Sequence, residues 1–466
     1  MPFRARFSLL RFGFRLLPAV LLSTSAWAVE PCRITVVDRE NGWPVPLVEL
    51  RTTHGLRYVT DNAGVIAFDA PELMGRQTWF EVIGHGYGVP KDGFGLKGVR
   101  LTPRPGGSEK VEVTRSNLAL RLGRLTGGGL FAESQKLGEE TGWRESGVLG
   151  CDSLQITAHN GRMFQFWGDT LFAHYPLGVF DMTGATTGPE PLKAPEPPLR
   201  PEFDYFRDAG QRPRGMVPMP GEGPTWAGGL ISVPDQSGQA RLVCSWNKIK
   251  PPLEPWQTGL AVWNEEKSVF DPLKTLWTKS DEHPKSPPFP EGHVVRWTDA
   301  EGKSWLLFGD PFPYLKCPDR FEAWADPASW EKIDAPKSLI NAGGGSPVKV
   351  HRGGVAWSPW RKRWVTVFTQ DMGSPSAYGE IWYAEAPSPL GPWGSAVKIL
   401  THEDYSFYNP VLHPEFTPEG SPLLYFEGTY TRTFSGNPQP TPRYEYNQIL
   451  YRLDLGVGGL AGAGGE

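Results

Sequence analysis

Five stretches of this chain share one pattern: Met163-Phe164-Gln165-Phe166-Trp167-Gly168-Asp169, Leu242-Val243-Cys244-Ser245-Trp246-Asn247, Trp305-Leu306-Leu307-Phe308-Gly309-Asp310, Trp364-Val365-Thr366-Val367-Phe368-Thr369-Gln370-Asp371 and Leu423-Leu424-Tyr425-Phe426-Glu427. Each is an apolar strand signal that ends on a polar residue, and the copies recur about every sixty to eighty residues. A unit of that length holds about four short strands, and five copies predict a five-bladed β-propeller over 148–456. An irregular β-sandwich with accidental internal similarity would show the same pattern.

Composition agrees with an all-β chain. The 466 residues include 55 Gly, 47 Pro and 19 Trp, so turn formers alternate with strand-forming aromatics along the whole length. There is no Gly at every third position, which excludes collagen. The formal charge of −4, with four arginines in the first 28 residues, gives no basis for a nucleic-acid or anionic-membrane partner.

Residues 1–28 read as an export signal. Arg4, Arg6, Arg11 and Arg15 precede the apolar run Leu16–Leu22, and Ala26-Trp27-Ala28 offers small residues for cleavage. A secreted or periplasmic protein, soluble once cleaved, is the expectation. Cys32, Cys151, Cys244 and Cys317 are too widely spaced for a metal site. Disulfides are permitted in that compartment and three pairings exist; buried free thiols are equally consistent.

Residues 29–115 read as a small β domain with strands at Arg33–Asp38, Leu47–Arg51, Arg57–Thr60, Val65–Phe68, Thr78–Ile83, Gly98–Leu101 and Lys110–Thr114. Asp61-Asn62-Ala63-Gly64 is a tight turn signal between two of them. A connecting segment, 116–147, leads to the propeller, and a Gly-rich tail, 457–466, follows it.

Propellers gather one strand of each blade around a central channel, and side chains converge at its mouth. In the first unit, Leu154–Phe166 is a hairpin turning at Asn160-Gly161. It brings Asp152 and Asp169 to the same end of adjacent strands. Two carboxyl groups so placed are what glycoside cleavage needs, one protonated and one ionised. Glu291, before the third inner strand, is a further candidate acid. Glu222, Asn247, His293, Asp310, His351, Arg352, Asp371, Tyr408, Asn409 and Glu427 occupy comparable positions and suit substrate contacts. The nine His show no short metal-binding spacing, so no metal or cofactor is called for, although a structural calcium in the channel stays open.

Three resemblances attach to these residues. Thr60-Asp61-Asn62-Ala63-Gly64 with Phe68-Asp69 resembles carboxypeptidase-regulatory-like domains, which implies a prealbumin-like β-sandwich without chemistry of its own. Ser388-Pro389-Leu390-Gly391-Pro392-Trp393 resembles the blade-closing loop of the arabinanase and xylosidase superfamily, which places its acid on a Glu of a middle blade. Asp152 with Gly168-Asp169-Thr170 and Phe172 resembles the bacterial endo-D-arabinanases. Together they imply a glycoside hydrolase acting on a polysaccharide or oligosaccharide with arabinofuranoside units. A polysaccharide lyase, with His293, His351, Arg352 and Tyr408 as its base and cation, is the alternative, as is a non-catalytic carbohydrate-binding protein.

Overall fold

The computed structural model describes residues 1, 29–143, 146–179, 181–188 and 194–463. Residues 2–28 of the proposed export signal and the last three residues of the tail lie outside these. Strands dominate, and no helix among the described residues exceeds five residues, the length of the α-helix Phe321–Ala325 and of the 3₁₀ helix Glu133–Leu137. The chain is all-β.

The N-terminal strands form two four-stranded sheets. One contains Cys32–Asp38, Val65–Phe68, Ser108–Arg115 and Tyr87–Gly88; the other contains Glu49–Thr52, Arg57–Val59, Thr78–Ile83 and Gly98–Leu101. Alternation along the strands turns Ile34, Val36, Leu50, Phe68, Phe80 and Val113 into one shared core between the sheets. The sequence boundaries hold to within two residues.

Six antiparallel sheets follow. One is small and three-stranded, with Gly150–Cys151, Thr170–Phe172 and Tyr175–Val179; the other five, numbered in chain order, each have a leading strand that touches that of the next. These leading strands are Gln155–His159, Thr225–Pro234, His293–Thr298, Pro347–Ser358 and Ser406–Leu412. The fifth sheet closes back on the first: Ser153 N donates to Thr429 Oγ1 at 3.3 Å, and Val411 packs with Leu154. Its outermost strand is Leu120–Arg124, paired with Asn447–Asp454. A strand from the connecting segment therefore completes the last sheet, so the two ends of this region are tied together by a backbone ladder.

Aromatic side chains fill the gaps between sheets. Trp393 of the Ser-Pro-Leu-Gly-Pro-Trp run lies 5.0 Å from Phe312 of the third sheet, ring to ring. All four cysteines are buried free thiols.

The two N-terminal sheets dock on the fifth sheet through polar groups. Arg121 is 1% exposed. It donates to the carbonyls of Pro46, Leu47, Gly84 and His85 and to the Tyr451 hydroxyl at 2.7–3.3 Å. Asn62, from the Asp61–Gly64 turn, donates to the carbonyls of Arg124 and Leu199 and accepts from Arg124 N. The turn recognised in the sequence is thus also a docking element.

Candidate active site

Three of the leading strands are irregular. The ladder shifts register between Gly228 and Ile231 in the second sheet, Val350 and Gly353 in the fourth, and Tyr408 and Val411 in the fifth. Ser153 and Asn409 adopt left-handed backbone, with φ of 53° and 49°. Bulges re-aim side chains and release backbone groups, and those of the fourth and fifth sheets hold His351, Arg352, Tyr408 and Asn409, while Asp152 and Glu291 stand just before the regular leading strands of the first and third sheets.

Asp152 faces two residues of the neighbouring strand. Its carbonyl accepts from Gly168 N at 2.7 Å, and its N–H donates to the Asp169 carbonyl at 3.2 Å. A Cβ on Gly168 would lie 2.2 Å from Asp152 Oδ1, so a larger residue there would have to displace the Asp152 carboxylate. The Tyr408 hydroxyl donates to Asp152 Oδ2 at 2.8 Å. Burial pushes Asp152 up to about 6, and the Asp169 charge adds to the shift; hydrogen bonds from the Tyr446 and Tyr408 hydroxyls hold it down. Burial also raises Asp169, against a hydrogen bond from the Trp226 indole.

Trp226 is paired across its ladder with Asn247, and Asn247 hydrogen-bonds the Glu291 side chain. Close approach of the second and third sheets permits this. Gly229 donates to the Gly292 carbonyl at 2.9 Å, and a Cβ on Gly229 would lie 2.6 Å from the Pro290 carbonyl oxygen. Burial raises Glu291; the Arg352 guanidinium opposes and Asp310 reinforces the shift. Arg352 Nη1 lies 3.2 Å from Asp310 Oδ2, and Gly353 N donates to Asp310 Oδ1 at 2.8 Å. Burial lowers both His293 and His351. The structure thus brings together Asp152, Asp169, Asn247, Glu291, His293, Asp310, His351, Arg352, Tyr408 and Asn409, whose amide donates to Ser153 Oγ at 2.6 Å.

Three candidates sit differently. Asp371 lies at the rim of the fourth sheet, held low by the Lys349 ammonium at 2.7 Å. Glu222 is exposed farther out, its carbonyl accepting from the Trp256 indole at 3.2 Å. Glu427 does not repeat the position of Asp169. Its strand continues to Thr431, and Glu427 pairs with Val411 on the inner side of the bulge. There it is 2% exposed and contacts His413 Nε2 at 3.0 Å, while His413 Nδ1 contacts Glu415 at 2.8 Å. Asn247 likewise lies inside its strand, which runs to Lys250. Apolar run length marked the strand ends poorly because polar residues continue both ladders.

Sequence reasoning missed Trp226, Tyr446 and Tyr314, whose side chain hydrogen-bonds Glu291. Trp226 lies in the leading strand Thr225–Pro234, whose bounds the sequence did not supply, and Tyr446 comes from a loop more than thirty residues beyond Tyr408. Among the described residues, no group of three or more His, Cys, Asp or Glu gathers as a metal site would.

No protein-family profile matches the chain, and no curated protein matches it. Solved structures with similar organisation include a Bacteroides ovatus protein at 12% identity and a TM-score of 0.42, covering 69% of this chain and 90% of that one. An exo-1,5-α-L-arabinanase from a bovine ruminal metagenomic library shares 9% identity with a TM-score of 0.39, over 66% of this chain and 93% of that one. An exo-β-1,3-galactanase from Phanerochaete chrysosporium shares 12% identity with a TM-score of 0.39, over 66% and 61%.

Proposed function

We propose that this chain is an exported glycoside hydrolase of polysaccharides, built as a prealbumin-like sandwich followed by a five-bladed propeller. The observation that carries this is the convergence of Asp152, Asp169 and Glu291, all three shifted upward by burial, at one end of the leading strands. Raised carboxyl groups are what acid–base chemistry near neutral pH requires.

The roles are assigned from the surroundings of each group. Asp152 is tied to Asp169 by its N–H, which donates to the Asp169 carbonyl at 3.2 Å, and feels the Asp169 charge, whereas Glu291 stands at the third sheet beside Arg352 and Asp310. Asp152, coupled to Asp169, then serves as the base that activates water, and Glu291 from the third sheet serves as the acid toward the leaving oxygen. Pairing of Arg352 with Asp310 and of Lys349 with Asp371 supports hydrolysis over a uronate lyase, which needs a cation free to neutralise the substrate carboxylate. Arabinofuranoside-containing glycans are the first substrates to test.

The test is a reducing-sugar assay on a panel of plant and bacterial polysaccharides, with Asp152→Asn, Asp169→Asn and Glu291→Gln. Turnover by the parent and losses of about 10²–10⁴-fold in the Asp152 and Glu291 variants are expected. Products absorbing as unsaturated uronates, or full activity in both variants, would overturn the assignment.

A further inference from the structure

Beside the carboxylates lies an aromatic group that the proposed chemistry does not use. Phe434 is 55% exposed. Its ring makes edge contacts with Tyr408 at 5.6 Å, the residue that grips Asp152, and with Tyr378 at 6.2 Å. Tyr378 in turn packs against His351 at 4.6 Å, and His351 Nδ1 is buried without a hydrogen-bond partner. The row Tyr408, Phe434, Tyr378 and His351 therefore runs outward from Asp152 along the rim of the fourth and fifth sheets.

Phe434 is held, not loosely displayed. Its backbone is left-handed, with φ of 66°, which a bulky residue rarely adopts. The turn around it is fixed by Ser435 N and Oγ donating to the Arg432 carbonyl, and by the Glu445 carboxylate accepting from Arg432 N at 3.0 and 3.2 Å. The same loop is braced by the N-terminal sheets: Arg57 Nη1 donates to the Pro440 carbonyl at 3.1 Å, and the Tyr444 hydroxyl donates to the Thr60 carbonyl at 3.0 Å. Strain maintained by surrounding structure is a mark of functional positions. An exposed phenyl ring beside polar edges suits the C–H face of a sugar.

We propose that Phe434 is the stacking platform of a glycan subsite next to the carboxylates, and that the ring it takes is an uncharged sugar. The second part rests on the charges: Lys349, Arg352 and Arg432, cations near this ring, each lie beside a carboxylate, leaving His351 and backbone groups to meet hydroxyls. This deepens the hydrolase reading above and rests on it.

The experiment titrates the full-length parent, Phe434→Ala and Phe434→Trp calorimetrically with hexasaccharide pools from arabinan, galactan, xylan and polygalacturonate. The same pools are assayed for cleavage, and circular dichroism checks the fold of each variant. A neutral pool should bind and be cleaved. Phe434→Ala should weaken its binding about tenfold and raise KM in proportion with kcat nearly kept, and Phe434→Trp should restore binding. Unchanged binding in Phe434→Ala with cleavage intact overturns the platform and leaves the hydrolase reading standing. Phe434-dependent binding without cleavage of any pool supports the platform and removes the hydrolase reading. Binding of polygalacturonate alone, or of no pool, overturns the subsite.

Discussion

The Asp152 carboxylate stands where a side chain on Gly168 would be. The Gly-Asp-Thr run is thus one device: the glycine makes room for one carboxyl group, and the next residue supplies another. Gly168→Ala should leave a folded protein whose Asp152 is displaced. Its turnover should fall at least about a hundredfold, since small misplacement of a reacting group is costly. Kinetics on the substrate found for the parent, beside a matching circular dichroism spectrum, checks this.

The Tyr408 hydroxyl lowers the pKa of Asp152 by donating to its ionised form. Tyr408→Phe removes that donor, so Asp152 should titrate higher. The acid limb of the pH–rate profile should move upward by about one unit, because a base must first lose its proton. An unmoved limb would argue against Asp152 as the base.

Asp152 also bears on stability. Its folded pKa, about 6, lies above the unfolded range near 3.8, so its ionised form is disfavoured by folding. The penalty is absent below about pH 4, where both states are protonated, and grows to its full value above pH 6. Asp152→Asn should therefore raise Tm at pH 7, by a gain of about 1–3 kcal/mol that shrinks on acidification. Thermal melts at pH 4 and pH 7 measure it.

His413 shows the opposite sign. Burial alone would lower it, but Glu415 and Glu427 carry it up to about 9. Its contribution to stability is full below the unfolded value near 6.5 and is lost as pH rises through 9. His413→Gln should cost stability at pH 6 and much less at pH 10, which denaturant titrations at the two values would show.

Arg121 couples the N-terminal sheets to the fifth sheet through five acceptors while 1% exposed. Arg121→Ala leaves those carbonyls without donors and should destabilise the protein by about 3–5 kcal/mol. Arg121→Lys should rescue little, because an ammonium has three donors and no planar fork. Urea unfolding monitored by tryptophan fluorescence would report both.

The sequence by itself determined the all-β class and most of the strands and turns. These depend on neighbours in the chain: alternating burial, Gly and Pro at turns, and a hairpin at Asn160-Gly161 that could only return Asp169 to Asp152. Glu291 was marked by its place before a leading strand for the same reason. Tertiary structure alone decided what surrounds these groups. Register shifts at Gly228, Val350 and Tyr408 come from packing between sheets, so no local signal announced them, and they carried Glu427 inward to His413 while Tyr408 reached Asp152. Trp226, Tyr446 and Phe434 come near these groups only through contacts between sheets and loops far apart in the chain, and Leu120–Arg124 joins the last sheet from the opposite end of the region. Hydrogen bonds and burial act through space, and it is they that set which carboxyl groups hold protons.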